Sequence, residues 1–197
     1  MTQPDRVSLI ASLRQRYGNE AVLTDPVRLA AASHDVYASG VAPIAILVPK
    51  DAADLGAAIA EITAHGLAVV PRGGGLSYTA GYVRQAGEAV LVDLSRLDRI
   101  LAIDPVNMTV TVEAGATWKA IHAALAEYDL RLPFFGTFSG AGATVGGGLS
   151  HGALFFGSAR YGTVADIVLS MDVVLADGST MRTGQAALQA PCHPVFR

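Results

Sequence analysis

Two glycine runs, PRGGGLSYTAGY at residues 71–82 and SGAGATVGGGLSHG at residues 139–152, constrain this chain more than any other feature. The second holds six glycines and no formal charge. Glycine loses more conformational freedom on folding than any other residue, so a chain concentrates it where backbone takes positive φ or approaches a partner too closely for a Cβ. Phosphate is such a partner: a curved glycine backbone converges its N–H groups on an anion without any formal positive charge. The hydroxyls of Ser77, Thr144 and Ser150 are additional donors at hand. Two such loops can grip a diphosphate from both sides, while either one alone reads equally well as a surface turn.

Commoner phosphate motifs do not fit. Counting G-x-G-x-x-G from Gly73 puts Tyr78 at the third glycine position, and from Gly146 it puts His151 there, which disfavours a nicotinamide Rossmann site. A Walker loop needs lysine after glycine, and neither Lys50 nor Lys119 follows one. With a net charge of −3 and only those two lysines, the chain lacks the basic field that nucleic acid requires. A lone cysteine, Cys192, excludes an internal disulfide framework and a cysteine-rich metal site, and no metal is expected. No apolar stretch approaches the roughly 18 residues that span a membrane, so the default expectation is a cytoplasmic protein without a membrane partner. The residues alone lead as far as a dinucleotide or diphosphate ligand.

Around these loops the periodicities predict an α+β protein of two lobes. Leu9, Leu13 and Tyr17 mark a first helix, with Pro4 near its start and Gly18 past its end. Residues 44–49 read as a buried strand, and Asp51 then caps a helix carrying Leu55, Ile59 and Ile62 that closes near Gly66. The strand LAVVP runs straight into Gly73, completing a parallel crossover unit that leaves the first loop at a strand's carboxyl end. Further strands are expected at 90–94, 100–104 and 109–114, then a helix capped by Thr117 with Trp118, Ile121 and Leu125 on one face. Ile167, Leu169, Met171, Val173 and Leu175 alternate as a strand, turned by Asp177-Gly178 into a hairpin with residues 180–183. The division expected is an N-terminal helical segment, 1–41, and a domain of residues 42–197 with lobes at about 42–104 and 105–197.

In this order PRGGGLS, VLVDLSRL, VTVEAGATW, SGAGATVGGGLSHG and RYGTVADIVLSMDVVLADG resemble the FAD-binding domain of the vanillyl-alcohol oxidase and p-cresol methylhydroxylase superfamily. The resemblance spans about residues 42–184 and implies a two-lobed α+β fold with FAD between the lobes. Carried over position by position, it implies Arg72, Gly73, Gly74, Gly75, Leu76 and Ser77 around the diphosphate, with a structural carboxylate pair as an equal alternative for Arg72. It further implies Ser139, Gly140, Ala143, Thr144, Gly146, Gly147 and Ser150 along the diphosphate, ribityl chain and flavin ring. Asp166, Ile167 and Val168, at the start of the following strand, would offer backbone groups to the nucleotide end. Several relatives attach the flavin covalently to a histidine after the glycine triplet; here that position is Leu76, so non-covalent FAD is expected.

The function so implied is oxidation of a small alcohol, hydroxy acid or amine by hydride transfer to flavin. Alternatives are a non-catalytic flavin-carrying subunit and a reductase of the enolpyruvyl-UDP-sugar type. In similar enzymes the substrate pocket belongs to a C-terminal domain, so a fragment that lacks it, inactive alone and partnered by that domain or by another subunit, is expected. Catalytic residues stay unassigned: His151, Tyr161, His65 and His122 all read more readily as structural, and Cys192 has only His193 nearby to activate it.

Overall fold

The computed structural model describes residues 5–134, 136 and 140–184. Helix α1 (Arg6–Tyr17) starts where the Asp5 carboxylate accepts the Ser8 N–H and ends at Gly18, with Leu9 and Leu13 wholly buried. A short strand β1 (Val22–Leu23) and helix α2 (Pro26–Ala31) follow, α2 capped by Asp25 with proline at its first position. The sequence reading had not resolved either element.

Strands β2 (Ala45–Leu47), β3 (Ala68–Arg72) and β4 (Ala89–Asp93) join β1 in one sheet, ordered β1-β2-β4-β3. Helix α3 (Leu55–Ala64) makes the crossover from β2 to β3, preceded by one 3-10 turn that Asp51 caps. The crossover was legible, but β2 and β3 are not neighbours: β4 lies between them, parallel to both. Residues 89–92 are all buried, as a central parallel strand covered on both faces requires. Val90 and Val92 face Leu9, Leu13, Ala58 and Ile62, whereas Ala89 and Leu91 face Ala32, Val70, Tyr82 and Val83. In this register Arg72 lies beside Asp93 at the carboxyl end of the sheet.

Strands β5 (Ile100–Asp104) and β6 (Thr109–Val112) form an antiparallel hairpin covered by helix α4 (Trp118–Ala126), whose N–H of Ala120 is accepted by the Thr117 hydroxyl. Ala116, Ile121 and Leu125 pack there against Ile103, Val110 and Val112. The second glycine run, expected as a loop, is half helical: Thr144 caps α5 (Val145–Ser150). A further turn, α6 (Ser158–Tyr161), precedes a 3-10 segment at Val164–Ile167. The long alternating strand predicted from Ile167 is therefore corrected, because Asp166 closes a capping box on Thr163 and the paired strand begins only at β7 (Asp172–Val174). The hairpin of β7 with β8 (Thr180–Arg182) holds as expected, with Gly178 at φ +83° in its turn. Its tip docks on α3, where Thr63 Oγ1 donates to the Ala176 carbonyl at 2.8 Å. Among the described residues no helix is long and apolar enough to cross a membrane.

Candidate functional site

Strand β3 ends at Arg72, and Gly73, Gly74 and Gly75 turn the chain sharply off the sheet, Gly75 at φ +71°. This turn meets the second glycine run directly. A Cβ on Gly73 would strike the Thr144 hydroxyl, and a Cβ on Gly74 would fall on the carbonyl oxygen of Gly142. The Leu76 side chain also packs against Gly142, its Cδ1 lying 3.3 Å from where that residue's Cβ would be. Glycine is thus demanded at 73 and 74 by loop-to-loop approach alone.

The backbone N–H groups of Gly73, Gly74, Gly75 and Leu76 make no hydrogen bond to any described residue, and all four residues are half-buried. Four consecutive donors without an acceptor among the described residues, three of them on glycine, suit an anionic oxygen ligand. In the second run the donors divide. Those of Val145, Gly146 and Gly148 are committed to Ala116, Ala114 and Thr144 carbonyls, and Gly147 donates to Thr144 Oγ1 at 3.3 Å. Ala143 and Thr144 N–H have no acceptor among the described residues.

The hydroxyls and charges are less available than the sequence suggested. Ser77 Oγ donates to Asp35 at 2.8 Å and Ser150 Oγ donates to the Gly146 carbonyl at 2.8 Å, so both hydroxyl protons are engaged within the protein. Arg72 makes the carboxylate pair: Nη1 donates to Asp93 at 2.8 Å, and the guanidinium lies 5.2 Å from the centre of the Tyr82 ring, beneath Gly75. Thr144 is buried, its oxygen wedged between the loop at Gly73 and the first turn of α5.

Within α5 two of the three glycines are required by packing. A Cβ on Gly146 would lie 2.9 Å from both the Cβ and the carbonyl oxygen of Ala114, and one on Gly148 would lie 3.2 Å from the Trp118 indole. Gly147 differs, since its Cβ would meet only Thr144 Oγ1, at 3.1 Å. Trp118 anchors the run from below, edge-on to Phe155 with ring centres 5.4 Å apart. Ile167 joins this cluster beside Ala143, Val145 and Leu149. Asp166, by contrast, spends its carboxylate on the N–H (2.6 Å) and hydroxyl (2.9 Å) of Thr163, bonds that lower its pKa. Asp166, Ile167 and Val168 therefore occupy a 3-10 turn and its end rather than a strand start. Gly140 takes φ +71° against Trp118; Ser139 and Cys192 fall outside the described residues.

His151 reaches across to the first loop, its Nδ1 lying 3.4 Å from Thr79 Oγ1. His65 and His122 meet the carbonyls of Glu61 and Phe134, and Tyr161 packs with Arg160. The sequence reading missed Asp35 and Tyr82, which hold the first loop from below. The only local trace of Asp35 is an acceptor followed closely by a turn, DVYASG, far from any glycine run.

The sequence matches the FAD binding domain family over residues 43–184. It is 28% identical over 143 residues to the mitochondrial D-lactate dehydrogenase [cytochrome] 1 of Saccharomyces cerevisiae, an overlap covering 72% of this chain and 24% of that protein. It is 31% identical over 156 residues to D-2-hydroxyglutarate dehydrogenase of Xanthomonas citri pv. viticola, covering 79% of this chain and 32% of the relative. The structure of p-cresol methylhydroxylase with substrate bound superposes with a TM-score of 0.75 at 22% identity, over 96% of this chain and 37% of that one. The overlaps thus span between 24% and 37% of these proteins' lengths.

Proposed function

We propose, because this chain belongs to the FAD binding domain family, in the fold of the vanillyl-alcohol oxidase and p-cresol methylhydroxylase superfamily, and has FAD as its cofactor, that it is the flavin-holding part of an enzyme that oxidises a small 2-hydroxy acid. The family is one of flavin oxidoreductases. Among alcohols, hydroxy acids and amines, the 2-hydroxy acid is favoured by the names of the yeast and Xanthomonas relatives.

The observation that carries the reading is the run of four N–H donors at Gly73, Gly74, Gly75 and Leu76 lying against Gly142 and Thr144. Those donors would hold the diphosphate, with Ala143 and Thr144 N–H groups joining from the second run. Gly140, Gly146, Gly147 and Ser150 would lie along the ribityl chain and ring, and Ser77 contributes by shaping the loop. Asp166, Ile167 and Val168 would flank the nucleotide end through their backbone. Arg72, neutralised by Asp93, stiffens the loop rather than supplying net charge to it. Bound there, FAD supplies the two-electron acceptor for hydride leaving the substrate carbon. Leu76 offers no nucleophile at the usual attachment point, which supports non-covalent binding. The division into lobes at about 42–104 and 105–197, with residues 1–41 preceding, belongs to the same proposal, as does a substrate-binding domain or subunit as partner.

The test is titration of the purified chain with FAD, followed by anaerobic addition of 2-hydroxy acids, plain alcohols and amines with a substrate-binding partner domain supplied. Stoichiometric FAD binding and bleaching of the visible flavin band by D-2-hydroxy acids are expected. Failure to bind FAD, or bleaching by amines alone, would overturn the proposal.

A further inference from the structure

The turn at residues 34–38 has a chemistry of its own. Both oxygens of the Asp35 carboxylate are engaged: Oδ1 accepts the N–H groups of Tyr37 (2.8 Å) and Ala38 (2.5 Å), and Oδ2 accepts Ser77 Oγ (2.8 Å) and Ala80 N–H (2.7 Å). One oxygen therefore closes its own turn while the other seizes the segment following the glycine triplet. The Val36 N–H adds a bond to the Ser77 carbonyl at 3.1 Å. Ala80 is held at φ +57°, a conformation an alanine adopts only when its surroundings over-determine it. Tyr82, buried beneath the loop, places its hydroxyl 2.7 Å from the His34 carbonyl and 3.0 Å from the Gly75 carbonyl, sharing one proton between them.

Peptide planarity turns these contacts into an orientation. In a trans peptide the C=O and N–H point in opposite directions. The Gly75 carbonyl, drawn inward to Tyr82, fixes the plane it shares with Leu76 and turns the Leu76 N–H away from the Tyr82 hydroxyl. The Ser77 carbonyl, bound to Val36, fixes the next plane but one. Four bonds to a carboxylate are acid-stable as well, because the donors hold the Asp35 pKa at about 2, with the Ala38 N–H the largest cause. Asp35 and the turn it closes lie outside both glycine runs.

We propose that Asp35 and Tyr82 are positioning residues for FAD, presetting the peptide planes of the glycine turn so that its N–H donors converge before the cofactor arrives. The inference rests on the reading of residues 73–76 as the diphosphate cradle. Binding then costs little loop ordering, which is the usual advantage of preorganised donors. Asparagine at 35 can accept only one of the two donor pairs, because its amide nitrogen is itself a donor. The expected affinity order is therefore aspartate, then asparagine, then alanine.

The experiment measures dissociation constants of the full chain for FAD, by quenching of flavin fluorescence, and for ADP, by competition, in Asp35→Ala, Asp35→Asn and Tyr82→Phe. Tyr82→Phe keeps the ring under Arg72 and remains informative if Asp35→Ala folds poorly. Asp104→Ala, which removes a carboxylate closing a remote turn at Val106 and Asn107, is the control. Asp35→Ala should weaken FAD and ADP by the same factor, about tenfold, with Asn intermediate, Tyr82→Phe several-fold weaker and the control unchanged. Wild-type chain that does not bind FAD refutes the cradle itself. Wild-type binding with variants that bind FAD and ADP as tightly as it does, or that lose affinity only as much as Asp104→Ala, overturns the positioning role.

Discussion

Gly147→Ala separates a glycine kept for a ligand from one kept for packing. Its neighbours in the triplet cannot make the distinction, since a methyl at 146 would meet Ala114 backbone at 2.9 Å and one at 148 would press on the Trp118 ring at 3.2 Å. At 147 the methyl meets only the Thr144 hydroxyl, at 3.1 Å, on a helical residue. Replacing glycine by alanine inside a helix is worth up to about 1 kcal/mol. The tight contact with Thr144 offsets part of that, so the apo protein should gain between roughly 0 and 1 kcal/mol, a rise in Tm of no more than about 2–4 °C. If the flavin lies against this residue, the same methyl overpacks the complex at a cost of about 1–3 kcal/mol, a roughly 5- to 150-fold loss of FAD affinity. The two effects have opposite signs. Urea unfolding of the apo protein and fluorescence titration with FAD measure them separately. Unchanged or improved FAD affinity alongside raised apo stability would refute the placement of Gly147 beside the cofactor.

Flavin released by acid precipitation should be FAD by mass, leaving a colourless pellet; FMN, or a pellet that stays yellow, would contradict the dinucleotide and non-covalent readings. Asp35 has a folded pKa depressed to about 2 from an ordinary value of 3.8, so its contribution to stability is complete above pH 4 and is lost as pH falls from about 4 to about 2. Unfolding curves for Asp35→Asn should accordingly converge on wild type across that window, and parallel curves would show the carboxylate charge to be irrelevant. Trp118→Ala should cost about 3–5 kcal/mol in urea, because the buried indole supports Gly136, Gly148 and Phe155 together.

Local signals in the sequence were faithful wherever local chemistry decides structure. Leu9, Leu13 and Tyr17 with Gly18 gave α1; Gly66 follows the end of the crossover helix, although Asp51 caps the 3-10 turn before that helix rather than the helix itself; Thr117 capped α4; Asp177-Gly178 turned the last hairpin. What escaped depends on partners distant in the chain. The insertion of β4 between β2 and β3 follows from its doubly buried face, which periodicity cannot rank against its neighbours. The glycine triplet reads as loop because each glycine costs a helix about 1 kcal/mol, and α5 forms nonetheless because Thr144 caps it and Ala114 and Trp118 leave no room for side chains at 146 and 148. Alternation at residues 167–175 was overridden by the Asp166 capping box. In the site, the glycine turns were visible as composition, but the hold of Asp35 on Ser77 spans 42 residues and leaves no local pattern.

In the proposed function the backbone N–H groups of Gly73, Gly74, Gly75 and Leu76 are the donors that receive the cofactor's diphosphate. Amide hydrogen exchange resolved by residue, with and without saturating FAD, tests it directly. Lacking acceptors among the described residues, these four amides should exchange rapidly in the free protein and become protected on adding FAD, and also on adding ADP, which shares the diphosphate, while those of β4 stay protected throughout. Bound FAD with exchange at these four amides unchanged would contradict the account.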